Sequence, residues 1–163
     1  MFLFVQFVIE ASASMRASSR ILKMVSAFLD LGISVPCWHT GRLWMLRIGL
    51  YKLERPKEKA DDWIWIIDHT VQLGSEKCLV VLGVRQQRLP KGELYLSRRD
   101  LEPLALMPVE HSNGRIVFEQ LEQIVAKTGP AKQIISDHGT DLKSGIEKFC
   151  EKYATLHTYD MKH

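Results

Sequence analysis

Cysteine is scarce and poorly spaced for either of its structural uses. Cys37, Cys78 and Cys150 are the only three in 163 residues. They are odd in number, widely separated and in no CxxC pair, which excludes a disulfide framework and a cysteine-built zinc module. A reducing, cytoplasmic setting fits that usage. Long apolar runs are missing too: no stretch approaches the roughly 18 apolar residues that span a bilayer, so no membrane partner is expected. The opening Met1-Phe-Leu-Phe-Val-Gln-Phe-Val-Ile9, followed by Ala11-Ser12-Ala13, has the outline of a signal peptide. Against that reading, no Lys or Arg precedes the run and the run is short. The sequence also lacks low-complexity tracts, internal repeats, a Gly-rich phosphate loop and a GxSxG elbow, so nothing points to a P-loop nucleotide site or a serine hydrolase.

What is present is a globular composition, 46% apolar and 25% charged, sufficient for one ordinary domain or a small module joined to a larger one. The net charge of +3 is unevenly distributed. Residues 1–60 hold nine Lys/Arg against four Asp/Glu, and residues 61–163 hold thirteen against fifteen. The basic excess therefore belongs to the N-terminal part, where it suits a polyanion such as DNA or, more simply, a solvated helical surface.

From Ala11 to Leu31 the apolar positions Met15, Ile21, Leu22, Val25, Phe28 and Leu29 recur at helical spacing, with Arg16, Arg20 and Lys23 between them. Gly32 is the expected stop. Ser34 and Pro36 then open a second helix expected to run to about Ile48 and to close at Gly49. Two helices around a tight Gly-containing turn make a helix-turn-helix candidate over residues 1–53. On its second helix Trp38, Gly41, Met45 and Ile48 fall on one side. His39, Thr40, Arg42 and Arg47 fall within an arc on the other, available for phosphates or base edges.

Residues 54–62 are charged, contain Pro56 and lack apolar periodicity, as a linker would. Asp61 and Asp62 read as surface charges there. Beyond it, Trp63–Asp68 and Cys78–Gly83 form an expected hairpin around Gly74-Ser75-Glu76-Lys77, and a further turn is expected at Pro90-Lys91-Gly92. Leu101–Val109 is a third strand whose Pro103 and Pro108 favour an edge. A helix capped by Ser112 or Asn113 and stopped by Gly129-Pro130 leads to a strand at 132–136. A second helix carries Leu142, Ile146, Phe149, Cys150 and Tyr153 on one stripe, and Leu156–Tyr159 is a fifth strand. The class is α/β, a mixed sheet flanked by helices over residues 63–163.

Two strands end in carboxylates: Trp63-Ile-Trp-Ile-Ile-Asp68-His-Thr70, and Gln133-Ile-Ile-Ser-Asp137-His-Gly-Thr140, which enters a helix. If the two strands pair in parallel, Asp68 and Asp137 lie about 5 Å apart in the pairing direction. Asp137 has a purely structural alternative, capping the helix that follows. His69 and His138 adjoin these acids and suggest a His/Asp metal hydrolase, but neighbours on a strand point to opposite faces, so His69 faces away from Asp68. His39, His111, His157 and His163 form no ligand spacing.

Ile66-Ile67-Asp68-His-Thr together with Ile134-Ile135-Ser136-Asp137-His138-Gly139-Thr140 resembles the RNase H-like catalytic core of DDE transposases and retroviral-type integrases, in which a Ser-Asp-x-Gly-Thr/Ser segment joins strand to helix. The resemblance implies two-metal phosphoryl transfer on DNA with Mg²⁺ or Mn²⁺, Asp68 and Asp137 acting as metal ligands, transposon ends and target DNA as partners, and a possible homo-oligomer. In that family a third acid, usually Glu, lies on a helix after the fifth strand. Here only Asp160, at a strand end, stands late in the sequence. The expectation is therefore an incomplete core, a fragment inactive alone. The alternative is a non-catalytic helix-turn-helix DNA-binding protein.

Overall fold

The structure, a computed structural model, describes residues 1–73, 76–89, 96–97, 99–137 and 139–160; for residues 70–73 it describes the backbone only. The Pro90-Lys91-Gly92 turn, the Gly74-Ser75 tip, His138 and His163 lie outside the described residues. The chain divides into two compact units, Met1–Glu54 and Arg55–His163.

The first unit is helical: α1 (Phe2–Ile9), α2 (Met15–Phe28) and α3 (Trp38–Glu54). The opening apolar run forms α1, and its Phe4 is fully buried. Gly41 of α3 makes room for it, since a Cβ there would stand 1.9 Å from the Phe4 ring. Trp44 meets Phe4 edge-on at 6.1 Å, a favoured aromatic geometry. Ser14 caps α2 by accepting from the Ala17 N–H at 3.2 Å.

Two boundaries differ from expectation. Residues 29–37 separate α2 from α3, a nine-residue connection where a helix-turn-helix uses about three or four. Asp30 and Gly32 both turn left-handed in it, at φ 47° and 58°. Pro36 holds the residue before it out of the helical region. The first turn of α3 accordingly begins at Cys37, whose carbonyl accepts from the Gly41 N–H at 3.1 Å. Gly49 does not close α3, which continues five residues beyond it to Glu54.

The second unit holds a five-stranded mixed sheet in the order β3-β2-β1-β4-β5. Its strands are β1 (Trp63–Leu73), β2 (Glu76–Arg85), β3 (Glu102–Val109), β4 (Gln133–Ser136) and β5 (Leu156–Tyr159). β1 and β3 each pair antiparallel with β2, while β4 pairs in parallel with both β1 and β5. Pro103 and Pro108 sit on β3, an edge strand where a missing N–H costs least. Helices α4 (Gly114–Thr128) and α5 (Thr140–Tyr153) return the chain between strands. Asn113 caps α4 through hydrogen bonds from the Arg115 and Ile116 N–H groups, both at 3.0 Å.

Period-two alternation decides which face these helices cover. Trp63, Trp65 and Ile67 of β1 join Leu79, Val81 and Ile134 in one buried cluster with Val117, Leu121 and Ile124 of α4 and Leu142, Ile146 and Phe149 of α5. Trp65 packs on Phe149 at 5.4 Å between ring centroids. The two helices press together at their glycines: a Cβ on Gly145 would meet Val117 at 2.6 Å, and one on Gly114 would meet the Ser144 hydroxyl oxygen at 2.5 Å.

Residues 55–62 carry no regular secondary structure but are held against the sheet. The Ala60 N–H donates to the Thr128 carbonyl at 2.9 Å. Lys57, its side chain almost fully enclosed, reaches Glu102 at 2.6 Å, and Arg55 donates to the same carboxylate. Asp62 is not the surface charge expected. It is 7% exposed, it accepts from the Arg85 Nε and from the Gln87 N–H at 3.0 Å, and only Asp61 beside it is exposed.

Candidate metal and nucleic-acid site

Parallel pairing of β1 with β4 aligns Ile66 with Ile135 and Ile67 with Ser136. The next residue on each path is an aspartate, so Asp68 and Asp137 directly follow the last paired residues of two strands that run about 5 Å apart in the pairing direction. Alternation assigns them a face. Ile67 and Ser136 are buried beneath the helices; Ile66, Asp68, Ile135 and Asp137 therefore belong to the opposite face, where the described residues of this unit place no helix. Asp68 is exposed and Asp137 half-buried. Asp137 follows the carboxyl end of β4, whereas Asp68 lies mid-strand, at the point where the β1–β4 pairing stops while β1 runs on to Leu73 beside β2.

Asp137 also has a local task. Its Oδ1 accepts from the Gly139 N–H at 3.2 Å, just ahead of α5, which fixes the rotamer and leaves the other oxygen for a ligand. Gly139 itself makes no side-chain cap. By the same alternation His69 and Lys77, in step with the buried Ile67 and Leu79, belong to the helix-covered face. Asp141, in the first turn of α5, pairs with Lys77 of β2 at 3.0 Å, both partly exposed. His69 is half-buried and its Nε2 lies 3.3 Å from the Ser112 hydroxyl. Burial holds the His69 imidazole below its ordinary value; Lys77 adds to that shift, while Asp141, Asp137 and Asp68 oppose it. His69 thus lies within electrostatic reach of all three carboxylates yet is biased neutral. On the far side of β4, Ser136 and His157 meet at 2.9 Å. Among the described residues no three His, Cys, Asp or Glu side chains come together as a metal cage.

The residues read from sequence as DNA contacts lie in the first unit, on α3. His39, Arg42 and Arg47 are exposed and Thr40 is half-buried, while Gly41 between them is buried. His39 stacks on Trp38 at 3.5 Å, and the Thr40 hydroxyl lies 3.3 Å from the Cys37 sulfur. No helix among the described residues is long and apolar enough to cross a membrane.

No family model matches the chain, and no curated protein matches it. Solved structures do. The HTLV-2 integrase catalytic core domain in complex with magnesium, in its dimeric form, is 15% identical with a TM-score of 0.42, over 63% of this chain and 63% of that one. The trimeric form is 14% identical with a TM-score of 0.40, over 65% and 63%. A simian T-cell lymphotropic virus intasome in complex with PP2A regulatory subunit B56 gamma is 14% identical with a TM-score of 0.40, over 75% of this chain and 43% of that chain. This chain spans less than two thirds of each of those chains.

Proposed function

We propose that residues 63–160 form an RNase H-like core of the transposase and integrase kind, built to hold a divalent cation over a DNA phosphodiester. The observation that supports this reading is the parallel β1–β4 register, whose last pair, Ile67 with Ser136, directly precedes Asp68 and Asp137 and has Ile67 packed under α4 and α5. A strand of DNA needs an open face, and a hard cation needs oxygen ligands; the opposite face supplies both. Two carboxylates fit one Mg²⁺ or Mn²⁺, whose remaining positions go to water and substrate phosphate, as is usual for Mg²⁺ on phosphoryl substrates. Such a cation supplies Lewis-acid stabilisation of the phosphoryl oxygens and a more acidic attacking water or 3′-hydroxyl. The residues of the chain do the rest. Asp68 and Asp137 would hold the cation, and the Gly139 N–H keeps Asp137 aimed. Two aspartates do not hold two ions, so strand transfer by these residues alone is expected to be absent or very slow.

A second reading, DNA binding without catalysis, draws on the absence of any three-residue metal cage among the described residues and on the basic excess of residues 1–60. Metal titration separates the two. Mn²⁺-induced proton relaxation, followed with isothermal calorimetry, should report a site that is lost in both Asp68→Ala and Asp137→Ala. No binding at millimolar metal would sink the metal-dependent reading and leave the second.

A further inference from the structure

The first unit contains a cleft of about 910 Å³ between α2 and the connection that follows it. One wall is a row of cations. Arg16, Arg20 and Lys23 stand at i, i+4 and i+7, all within one narrow stripe of α2, and rise about 10 Å along its axis. The other wall is backbone and apolar surface from Gly32 to Trp38, with Asp30 the one acid among the lining residues. No carboxylate pairs with Arg16, Arg20 or Lys23 among the described residues. Arg16 instead meets the Trp38 ring, 4.9 Å from its centroid, a cation–π arrangement that holds its guanidinium at the mouth.

The floor of the cleft adds positive potential. The first turn of α3 opens into it through Cys37 and Trp38, and helix N-termini present unsatisfied N–H groups to anions. The Cys37 thiol is lowered from its ordinary value by local hydrogen bonding, first with the Thr40 hydroxyl and then with the backbone of this turn. Trp38 is occupied on its faces by Arg16 and His39, so it offers no stacking surface to a base.

We infer that this α2 cleft binds the sugar–phosphate backbone of a nucleic-acid strand, with Arg16, Arg20 and Lys23 as the groups that meet phosphate. A single free phosphate would need one or two of these groups. A row about 10 Å long, with cations about 4.5 and 6 Å apart along the axis, instead fits successive phosphates of one chain. The site is independent of the aspartate pair and of Arg42 and Arg47 on α3.

The test uses the full chain and a short fluorescein-labelled DNA duplex, with affinity followed across a salt series. Arg20 and Lys23 are exposed and, among the described residues, have no acidic partner, so R20A/K23A should keep its fold by circular dichroism. It should lower the slope of log affinity against log salt by about two, one unit for each cation taken off a phosphate. The charge-retaining R20K/K23R should restore the slope. An unchanged slope and affinity in R20A/K23A would overturn the inference, even if metal binding at Asp68 and Asp137 is intact. Tripolyphosphate is the competing probe. If it binds the wild type more tightly than the duplex does, and R20A/K23A abolishes that binding, the occupant is a free polyphosphate and the inference is likewise overturned.

Discussion

Asp62 and Arg85 form a buried ion pair that closes the segment before β1 onto the end of β2. Both side chains are about nine-tenths enclosed, and Glu58 approaches the same guanidinium at 2.7 Å. Without Asp62 the enclosed Arg85 keeps only the half-exposed Glu58 and the Gln87 N–H loses its acceptor, which costs more than losing a surface bridge. Asp62→Ala should therefore destabilise the second unit by about 2 kcal/mol, read as a shift of the urea midpoint. The adjacent Asp61→Ala, at an exposed position, should stay within about 0.5 kcal/mol of wild type. Equal effects would show that the pair is not formed in solution.

Acid should weaken the same region. Burial pushes the Asp62 carboxyl up, but the Gln87 N–H and Arg85 outweigh it, and its net position is below the ordinary value. Glu102 follows the same pattern, burial being outweighed by Arg55 and Lys57. Carboxyls lowered in the folded state contribute stability that is fully present above their unfolded values, near 4, and is lost as pH falls through the folded ones. Stability measured by denaturant between about pH 6 and pH 3 should fall steeply in wild type and less steeply in Asp62→Asn and Glu102→Gln. Parallel curves would show that neither group is linked to folding.

Glycines give a contrast of opposite sign. At Gly145 a new Cβ would stand 2.6 Å from a Val117 side-chain carbon and 2.8 Å from the Gly114 carbonyl, so Gly145→Ala should force α4 and α5 apart and cost about 2 kcal/mol. Gly49 is helical, exposed and has nothing within 4 Å of its Cβ position. Gly49→Ala should stabilise the first unit by about 0.5–1 kcal/mol, because a glycine inside a helix costs entropy that alanine does not. If Gly49 instead ended the helix, the substitution would be neutral or harmful.

Much of the second unit was legible because its signals are local. Trp63, Trp65 and Ile67 alternate with less buried neighbours, Pro103 and Pro108 mark an edge strand, and Asn113 and Gly129 bracket α4. The parallel pairing of β1 with β4 was legible from the strand–helix–strand order. What escaped depends on partners distant in sequence. Asp62 looks solvated until Arg85, 23 residues on, folds over it, and Lys77 meets Asp141 across 64 residues. In the first unit the signals were local but ambiguous: an apolar run of eight residues suits a leader as well as α1, and Gly49 reads as a stop although α3 runs past it.

Asp160 tests how the carboxyl ends of the strands are used. Its N–H donates to the Ser136 carbonyl at 2.8 Å, which continues the β4–β5 register and sets Asp160 beside Asp137 at the sheet's end. β4 lies between β5 and β1, so Asp160 and Asp68 are two strand spacings apart, about 10 Å in the pairing direction. An ion held between Asp68 and Asp137 is therefore beyond direct reach of the Asp160 carboxylate, since metal–oxygen bonds are about 2.0–2.6 Å. Asp160→Asn should leave Mn²⁺ affinity within about twofold of wild type, a difference of about 0.4 kcal/mol, while Asp68→Asn and Asp137→Asn each weaken it by more than about tenfold. Calorimetric titration of the three variants decides the matter. A loss in Asp160→Asn as large as in Asp137→Asn would move the ion toward β5 and make Asp137 and Asp160, rather than Asp68 and Asp137, the pair that holds it.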